Sequence, residues 1–482
     1  MRNLLAWMRH HPVSVIILLL LGSVWAAITL GNVVAERRWR FYCADARALG
    51  VKLTLPEFEP PKIPDEENFA TVPTLRAAFK GQRPMQLPEA GKSKARFGDP
   101  RKGLRIDWDA WRQCLGDADY LRSTTESAPA DVLGALEHYR PQFDDWSQWR
   151  SRPHCRFPLD WQAGMAMPFP HLSTFQDAAR LFRLRMSGHL ALGDSPAAYA
   201  DFQDGLQAYR ALREEPTLLS GLVQISALNI LLSGVGDGLA DHAWAPPNLQ
   251  QIDADLTPIL IWDDYRRAFS SERGFGNDCF DRMVAAPSWQ RMDTFGGVPP
   301  SFPQASLAMW IPRCVYRKNQ LRHNRYLDEI LARVNAEATR FDPESTTPAG
   351  PDQLEGVDEY FYFLFKHSAL VFVELDHRFV VLHARVAQTR LACALERFRF
   401  VRGVFPEQLS ELVPEFLPAV PADPYSGQPM IYRRKGKGSF ELYSIGKNRI
   451  DDEGVVDPKR SETSQKDTIW LHAPAAASPA RD

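Results

Sequence analysis

The longest run of apolar positions lies near the amino terminus, where no charged residue occurs between Val13 and Val34. About 20 apolar residues in a helix suffice to cross the hydrocarbon of a bilayer. A cleavable signal peptide, the alternative, usually has an apolar core of only about 7 to 15 residues. The pattern therefore predicts a retained single-pass anchor. Because neither Gly nor Pro follows before Tyr42, we expect the helix to continue, with Trp39 and Tyr42 at interfacial depth.

Arginines flank this anchor on both sides, so the positive charges do not decide its orientation. The amino-terminal side carries Arg2 and Arg9, and the other side carries Arg37, Arg38, Arg40 and Arg47.

Many prolines and charged residues follow the anchor, from about Pro56 to Arg105. Proline interrupts helices and central strands, so this stretch is predicted to be an extended tether or a segment that wraps around the folded part. Its basic cluster, residues 92 to 105, alternates with Gly and Pro and lacks interleaved aromatic residues. A solvated loop is therefore favoured there over a surface for RNA or anionic lipid.

From Asp131 to Arg340 the apolar residues recur three or four positions apart, which predicts a body of amphipathic helices. We expect these helices near residues 131 to 150, 174 to 192, 196 to 214, 217 to 239, 248 to 272 and 314 to 340. The stretch from His189 to Phe202 resembles a tetratricopeptide hairpin, with Pro196 opening the second helix. Since one repeat cannot bury its own apolar face, a compact bundle of helical hairpins fits the pattern as well as a solenoid.

A stretch rich in Gly, Pro and aromatic residues separates two of these helices, from Arg273 to Pro312. Because about 40 residues is long for a passive connection, this stretch is a candidate binding surface. Packing over the helical bundle is the alternative.

The last long helix is predicted from Val357 to Val401, since Gly403 supplies a stop signal. Its first half is rich enough in Phe, Leu and Val to suggest a second membrane span. However, Lys366 and Glu374 interrupt that half, and a charge at the bilayer centre costs about 3 kcal/mol. A buried core helix is therefore favoured.

Residue usage changes after Gly403, where a short helix is predicted over residues 406 to 412. Two strands follow, at residues 430 to 434 and 440 to 445, joined by a Gly-containing hairpin turn at residues 436 to 438. The pattern predicts a small β-containing module.

Several features of this region occur together: Ala394-Leu395-Glu396-Arg397-Phe398 at a helix end, Gly403-Val404-Phe405-Pro406, Asp423-Pro424, Gly427-Gln428-Pro429, Leu442-Tyr443-Ser444-Ile445-Gly446 and Thr468-Ile469-Trp470. In this combination, over about residues 385 to 470, the chain resembles the globular half of the major pseudopilins of type II secretion. The resemblance implies an α+β module that closes with a third strand. The family's membrane helix leads directly into that module, whereas here the anchor lies far upstream.

The resemblance also implies a calcium site in the acidic loop after the Tyr-Ser-x-Gly strand. The carboxylates at the matching positions are Asp451, Asp452, Asp457 and Asp467, and such oxygen ligands are those that calcium prefers. A solvated acidic turn is the alternative, because Lys447 and Arg449 add positive charge beside the loop. Since such domains face outward, where calcium is abundant, we expect a cytoplasmic amino terminus and an extracytoplasmic bulk.

Two further stretches are Pro64-Asp65-Glu66-Glu67-Asn68-Phe69-Ala70 after the anchor and Glu215-Pro216-Thr217-Leu218 at a helix start. With the anchor and the carboxy-terminal module, they make the whole chain resemble a group of bacterial single-pass envelope proteins. That resemblance implies an architecture and supplies no catalytic residues.

Composition and motifs point away from several activities. The hydrophobic share of 45% and charged share of 24% are typical of a folded protein, and a net charge of −2 does not suggest a general nucleic-acid binder. Six scattered cysteines define no disulfide framework, and no hydrolase elbow, zincin or Cys-x-x-Cys motif occurs. Glu374 and His377 form one Glu-x-x-His pair, but the second pair that a di-iron site requires is missing.

The predicted fold is mainly α, with a transmembrane helix, a helical hairpin bundle that is partly tetratricopeptide-like, and a small pseudopilin-like α+β module. The expected parts are a cytoplasmic stub and anchor (1–35), a juxtamembrane helix and Pro-rich segment (36–130), a helical body (131–356), a long connecting helix (357–402), the β module (403–470) and a disordered tail (471–482).

The leading hypothesis for function is an inner-membrane scaffold or interaction protein of the envelope. Its expected partners are the bilayer, through residues 13 to 34, and another envelope protein, and no catalytic residue is assigned. The alternatives are a hydrolase-like envelope enzyme with a pocket near residues 273 to 312 and a pseudopilin-like secretion component.

Overall fold

The computed structural model describes residues 11–88, 97, 106–286, 311–335, 340–342, 362–370, 372, 375–436, 438–454 and 468–472. These ranges are mainly helical with one small antiparallel sheet, which confirms the predicted class. The helices are α1 (Pro12–Ala48), α2 (Pro73–Phe79), α3 (Trp108–Asp117), α4 (Ala128–Leu136), α5 (Arg140–Trp149), α6 (Leu172–Ala191), α7 (Ser195–Ala211), α8 (Leu218–Ala240), α9 (Pro246–Leu256), α10 (Ile261–Ala285), α11 (Arg313–Ala332), α12 (Phe363–Leu370) and α13 (Leu375–Arg402). The strands are β1 (Ile431–Lys435), β2 (Ser439–Ser444) and β3 (Thr468–His472).

Two described helices, α1 and α8, are long and apolar enough to cross a membrane. In α1 no part of the most apolar stretch is buried in the protein. In α8, by contrast, 67% of its own most apolar stretch is buried. Helix α1 is therefore the candidate for a single membrane span, and α8 is a core helix. The single helix predicted from Val357 to Val401 is interrupted, because Phe372 lies in a turn between α12 and α13. In the apolar first half, Leu364, Phe365 and Ala369 of α12 are buried in the protein, which fits the core alternative, and most of α13 is buried as well.

Helix α1 continues without a break to Ala48, as the sequence predicted. Its two aromatic residues both pack against the protein, and their predicted interfacial depth stays a prediction. Trp39 is buried, and the Tyr42 hydroxyl donates a hydrogen bond to Asp328 Oδ2 at 2.9 Å. The part of α1 that follows its most apolar stretch is thus docked on α11.

The residues after α1 wrap around the body. Short 3-10 turns at Leu55–Phe58, Asp65–Glu67 and Phe69–Thr71 bend the chain so that its large apolar side chains point inward. Phe69 and Leu75 are fully buried in a core shared with α3 to α6. The wrapping alternative is therefore confirmed for the described part of the Pro-rich segment, and its basic cluster, residues 92 to 105, lies outside the described residues.

The hairpin of α6 and α7 begins its second helix where the sequence predicted. Asp194 caps α7 by accepting a hydrogen bond from Ala197 N at 3.0 Å, and Pro196 lies in the first turn. Both helices pack against α8.

The helix predicted over residues 248 to 272 is two helices, α9 and α10, separated near Pro258. Helix α10 then extends to Ala285, so the residues from Arg273 to Ala285 are helical and do not belong to a loop. Gly274 and Gly276 lie inside α10 where neighbours approach closely, since a Cβ atom at Gly276 would lie 2.3 Å from His323 Nε2. Residues 287 to 310 of the candidate binding surface lie outside the described residues.

The carboxy-terminal part forms a three-stranded sheet in the order β1-β2-β3. Tyr432 pairs with Leu442, and Leu442 pairs with Trp470. The predicted helix near Pro406 is only a 3-10 turn at Leu409–Leu412. Buried residues of the sheet belong to the same apolar core as those of α6 to α13, so this part is built into the body. The tail predicted over residues 471 to 482 begins too early, because β3 extends to His472, and its remaining residues lie outside the described residues.

Candidate functional site

A cavity of about 480 Å³ lies between the wrapping segment and the helical body. Its walls come from residues 59 to 80, residues 155 to 161 and the pair Glu214 and Glu215. Both stretches that the sequence singled out, residues 64 to 70 and 215 to 218, reach this cavity. We therefore treat it as the candidate site.

Asn68 fixes the wrapping segment to the wall of the cavity. Its side-chain oxygen accepts hydrogen bonds from Ala70 N at 3.1 Å and Arg156 N at 2.9 Å, and its amide nitrogen donates to Arg156 O at 2.9 Å. The backbone of Phe69 also donates to His154 O at 2.7 Å. The side-chain amide of Asn68 thereby satisfies backbone groups of two segments far apart in the sequence, as a pair of strands would do with their backbone hydrogen bonds.

Glu214 contacts a histidine and an arginine at the cavity wall. His154 Nδ1 lies 2.7 Å from Glu214 Oε1, and Arg156 Nε donates to Glu214 Oε2 at 3.0 Å. Partial burial alone would raise the pKa of Glu214, but the hydrogen bonds from His154 and Arg156 outweigh it and lower that pKa. Glu214 is therefore a carboxylate at neutral pH, and its charge is neutralised locally.

Glu215 joins two buried groups behind the same wall. Its Oε2 lies 2.9 Å from His171 Nε2, and its Oε1 accepts a hydrogen bond from Ser220 Oγ. The His171 ring stacks on Phe157 with a centroid distance of 3.8 Å. Its Nδ1 has no hydrogen-bond partner among the described residues.

This arrangement does not match a nucleophilic triad. In such a triad the imidazole lies between the hydroxyl and the carboxylate, so that it can remove the hydroxyl proton. Here the carboxylate of Glu215 lies between Ser220 and His171, and both of those side chains are fully buried. Burial, followed by the neighbouring Glu215 and Glu214, raises the pKa of the Cys155 thiol well above its usual range, which disfavours a reactive thiolate.

A second cavity, of about 860 Å³, adjoins the first at the Pro60-Pro61 segment. The two cavities share Pro60, Pro61, Arg156 and Glu214 in their walls. Arg156 Nη1 donates a hydrogen bond to Pro61 O. We call the two adjoining cavities the groove and the Pro60-Pro61 segment, which lines both and is bonded to Arg156, the strap.

The predicted calcium ligands are only partly described. Asp451 accepts hydrogen bonds from the Tyr443 hydroxyl at 2.9 Å and Glu453 N at 2.8 Å, and Asp452 accepts one from Asn448 at 3.0 Å. The two carboxylates are therefore directed at different protein donors. Asp457 and Asp467 lie outside the described residues, so the calcium site stays a prediction.

The Glu-x-x-His pair is also only half described, since Glu374 lies outside the described residues. His377 Nδ1 is hydrogen-bonded to the hydroxyl of Tyr425, so this imidazole joins α13 to the carboxy-terminal part. Over the ranges that the structure describes, no three His, Cys, Asp or Glu side chains converge in a group that could hold a metal ion.

Comparison with protein-family models, with curated proteins and with solved structures gave no match. The sequence analysis singled out the two stretches that meet at the cavity, but it did not predict their contacts. The residues that sequence reasoning missed are His154, Arg156 and His171, because no local pattern in the sequence marks them.

Proposed function

We propose that this protein is a membrane-anchored scaffold of the cell envelope that holds its helical body at a fixed position beside the bilayer. In this proposal the span is residues 13 to 34, the membrane is the inner membrane, and the bulk of the chain is extracytoplasmic. The groove beneath the strap receives a segment of a partner protein.

The observation that carries the proposal is the docking of α1. Three contacts follow one another along its exit from the span: Asn32 Oδ1 accepts a hydrogen bond from Cys314 N at 2.8 Å, Glu36 pairs with Arg317 at 2.9 Å, and Tyr42 bonds Asp328 at 2.9 Å. A flexible linker would give reach without orientation. A helix docked over three turns instead fixes the distance and orientation of the body relative to the anchor.

The groove supports an interaction role through its chemistry. Aromatic side chains of Phe79, Phe157 and Trp161 line the first cavity, and Lys62 and Lys80 stand at its exposed rim. Apolar anchor pockets bordered by polar residues are typical of protein interaction surfaces. The carboxy-terminal sheet supports a rigidifying role, since its core is continuous with that of the body.

Site-specific photocrosslinking in intact membranes tests the proposal. A photoactivatable amino acid replaces Lys62 or Lys80 at the groove, and Lys435 on the β hairpin, an equally exposed lysine, is the matched control. We expect the same crosslinked protein band from both groove positions and none from the control. Equal patterns from all three positions, or no band from the groove, would contradict the proposal.

The orientation is tested separately by adding protease to intact spheroplasts. Degradation of the body supports an extracytoplasmic bulk, whereas full protection would reverse the proposed orientation.

A further inference from the structure

Two arginines share one buried carboxylate in the wall of the second cavity of the groove. Arg213, in a 3-10 turn that follows α7, donates through Nε to Asp264 Oδ1 at 3.1 Å. Arg267 of α10 donates through Nη1 to the same oxygen at 2.8 Å. The other oxygen of Asp264 accepts a hydrogen bond from the Tyr209 hydroxyl. Because the Asp264 side chain is only 2% exposed, packing holds this carboxylate and thereby both guanidiniums.

Both guanidiniums keep donor atoms for a ligand. In the part of the chain that the structure describes, neither Arg213 nor Arg267 has a hydrogen-bond or ion-pair partner besides Asp264. Their side chains are 31% and 30% exposed, and both line the cavity. A guanidinium presents its N–H donors as a planar fork that matches a carboxylate. The shared carboxylate therefore orients two such forks before any ligand arrives.

One positive charge of this pair is not balanced, since Asp264 can neutralise only one of its two arginines. Lys52 and Glu59 add one charge of each sign to the lining of the cavity. The other charges around it form ion pairs: Arg156 with Glu214, Arg210 with Asp255 and, on α10, Arg266 with Asp263. After every pair is counted, the second cavity keeps an excess of one positive charge, which attracts an anionic group.

The first cavity of the groove adds charges of the same sign. Arg76 pairs with Asp65 there at 3.4 Å, whereas Lys62 and Lys80 at the rim have no ion-pair partner among the residues described. Glu215, the carboxylate that remains in this lining, is buried. Complementary charge is what an interface uses to select and steer its partner. The exposed charge of the groove therefore favours an acidic segment.

We propose that the groove recognises an acidic segment of the partner protein and that Arg213 and Arg267 together bind one side-chain carboxylate of that segment. A single unbalanced positive charge matches the single negative charge of Asp or Glu better than the nearly double charge of a phosphate group. Apolar walls beside the arginines hold the neighbouring residues of the segment; they include Pro153, Pro216, Pro258 and Ile259. The inference rests on the proposed function, because it names the chemistry of the segment that the groove receives.

The test uses the purified full chain in a neutral detergent and a library of random peptides displayed on phage. The carboxy terminus of each peptide is fused to the coat protein, so only side chains offer carboxylates. We expect the parent to enrich peptides that share an Asp or Glu, and Arg213→Gln to lose them. Arg267→Gln should lose the same peptides. Each variant leaves Asp264 with one arginine and with Tyr209, so both should fold, and their melting temperatures check this.

A double-mutant cycle measures the contact with a synthetic copy of the most enriched peptide. Replacing its acidic residue by the corresponding amide should weaken binding to the parent about tenfold to a hundredfold, as expected for charge-assisted hydrogen bonds. The same replacement should hardly change binding to Arg213→Gln. Arg180→Gln is the matched control, because Arg180 and Arg83 also share a buried carboxylate, that of Asp177, outside the groove. This control should bind the peptide like the parent.

Four results would overturn the inference. Enriched peptides without a shared acidic residue would remove the carboxylate, and equal weakening of the parent and Arg213→Gln by the amide would remove the arginines. Equal weakening in Arg180→Gln would show diffuse attraction to a cationic surface. The absence of any enriched peptide would overturn the inference alone if Lys62 and Lys80 still crosslink to a partner, and the proposed function as well if they do not.

Discussion

A single methyl group at Gly276 tests the close packing of α10 against α11. A Cβ atom there would lie 2.3 Å from His323 Nε2 and 2.8 Å from His323 Cδ2. The His323 ring is only 2% exposed and lies 6.0 Å from the ring centroids of Phe280 and Phe372. The ring therefore cannot withdraw from an added methyl group without displacing other buried side chains.

The expected size of the effect of Gly276→Ala follows from two opposing contributions. Forcing an extra methyl group into a packed core costs about 1 to 3 kcal/mol, and an approach of 2.3 Å to a buried ring places this case near the upper end. Alanine is favoured over glycine in a helix by about 1 kcal/mol. We expect a net loss of about 2 kcal/mol in the free energy of unfolding.

Gly134→Ala is the matched control, because Gly134 lies in α4 with nothing within 4 Å of the added Cβ. There only the helix preference acts, so this variant should gain about 0.5 to 1 kcal/mol. The assay is urea unfolding of the detergent-solubilised full chain, followed by tryptophan fluorescence. The two variants should shift the midpoint in opposite directions, and a shift in the same direction would refute the contact.

A double variant separates the overlap from other effects. His323→Ala removes the ring that the methyl group meets, so Gly276→Ala should cost less in the His323→Ala background than in the parent. Strictly additive free energies would show that the two residues do not interact.

Three further predictions concern buried polar contacts. Burial would raise the pKa of Glu396, but hydrogen bonds from His242 and Arg399 lower it to about 2; its contribution to stability, lost in Glu396→Gln, should be present above about pH 4.5 and vanish as the pH falls towards 2, measured as the melting-temperature difference between parent and variant. Asn68→Ala should expose the wrapping segment to limited proteolysis, since it leaves buried backbone groups unpaired at a cost of about 1 to 3 kcal/mol; an unchanged cleavage pattern would contradict the role of Asn68 in fixing this segment. Tyr425→Phe should lower the urea midpoint because it removes the hydroxyl that bonds His377 on α13. An unchanged midpoint would show that this hydrogen bond does not contribute to stability.

The parts of the fold that the sequence predicted are those that local chemistry decides. The hairpin between α6 and α7 was predictable because an Asp cap and a Pro in the first turn act within one helical turn. The long helix α1 was predictable from an uninterrupted run of helix-compatible residues. The mainly α class followed from the 3.6-residue period of the apolar positions.

The predictions that failed, or that could not be made, concern residues whose role depends on distant parts of the chain. Gly274 and Gly276 suggested a loop because glycine is common in turns, yet in α10 they allow Phe58 and His323 to approach the helix. A single sequence does not distinguish these two uses of glycine. The hydrogen bonds of Asn68 to Arg156 and of Glu215 to His171 also join residues distant in the chain, so no local pattern could announce them.

The docking of the anchor leads to one last prediction, which depends on unequal burial within an ion pair. Arg273 Nη2 donates to Asp328 Oδ1 at 2.6 Å, and the guanidinium also contacts the Tyr42 hydroxyl. The Arg273 side chain is only 2% exposed, whereas that of Asp328 is 46% exposed. Each partner should therefore tolerate the loss of the other to a different extent.

Asp328→Asn leaves a buried guanidinium without its counter-charge, which is costly in a protein interior. Arg273→Met keeps the apolar stem and leaves Asp328 with access to water, which can replace the lost contact. We expect Asp328→Asn to lower the free energy of unfolding by about 1 to 2 kcal/mol and Arg273→Met by less, because exposed carboxylates lose little when their partner is removed. Urea midpoints give the ranking, and proteolysis after Arg47 reports whether α1 has left the body. If Arg273→Met were the more damaging change, the pair would not act as a buried cation held by a half-exposed carboxylate, and its part in docking Tyr42 of α1 would lose its support.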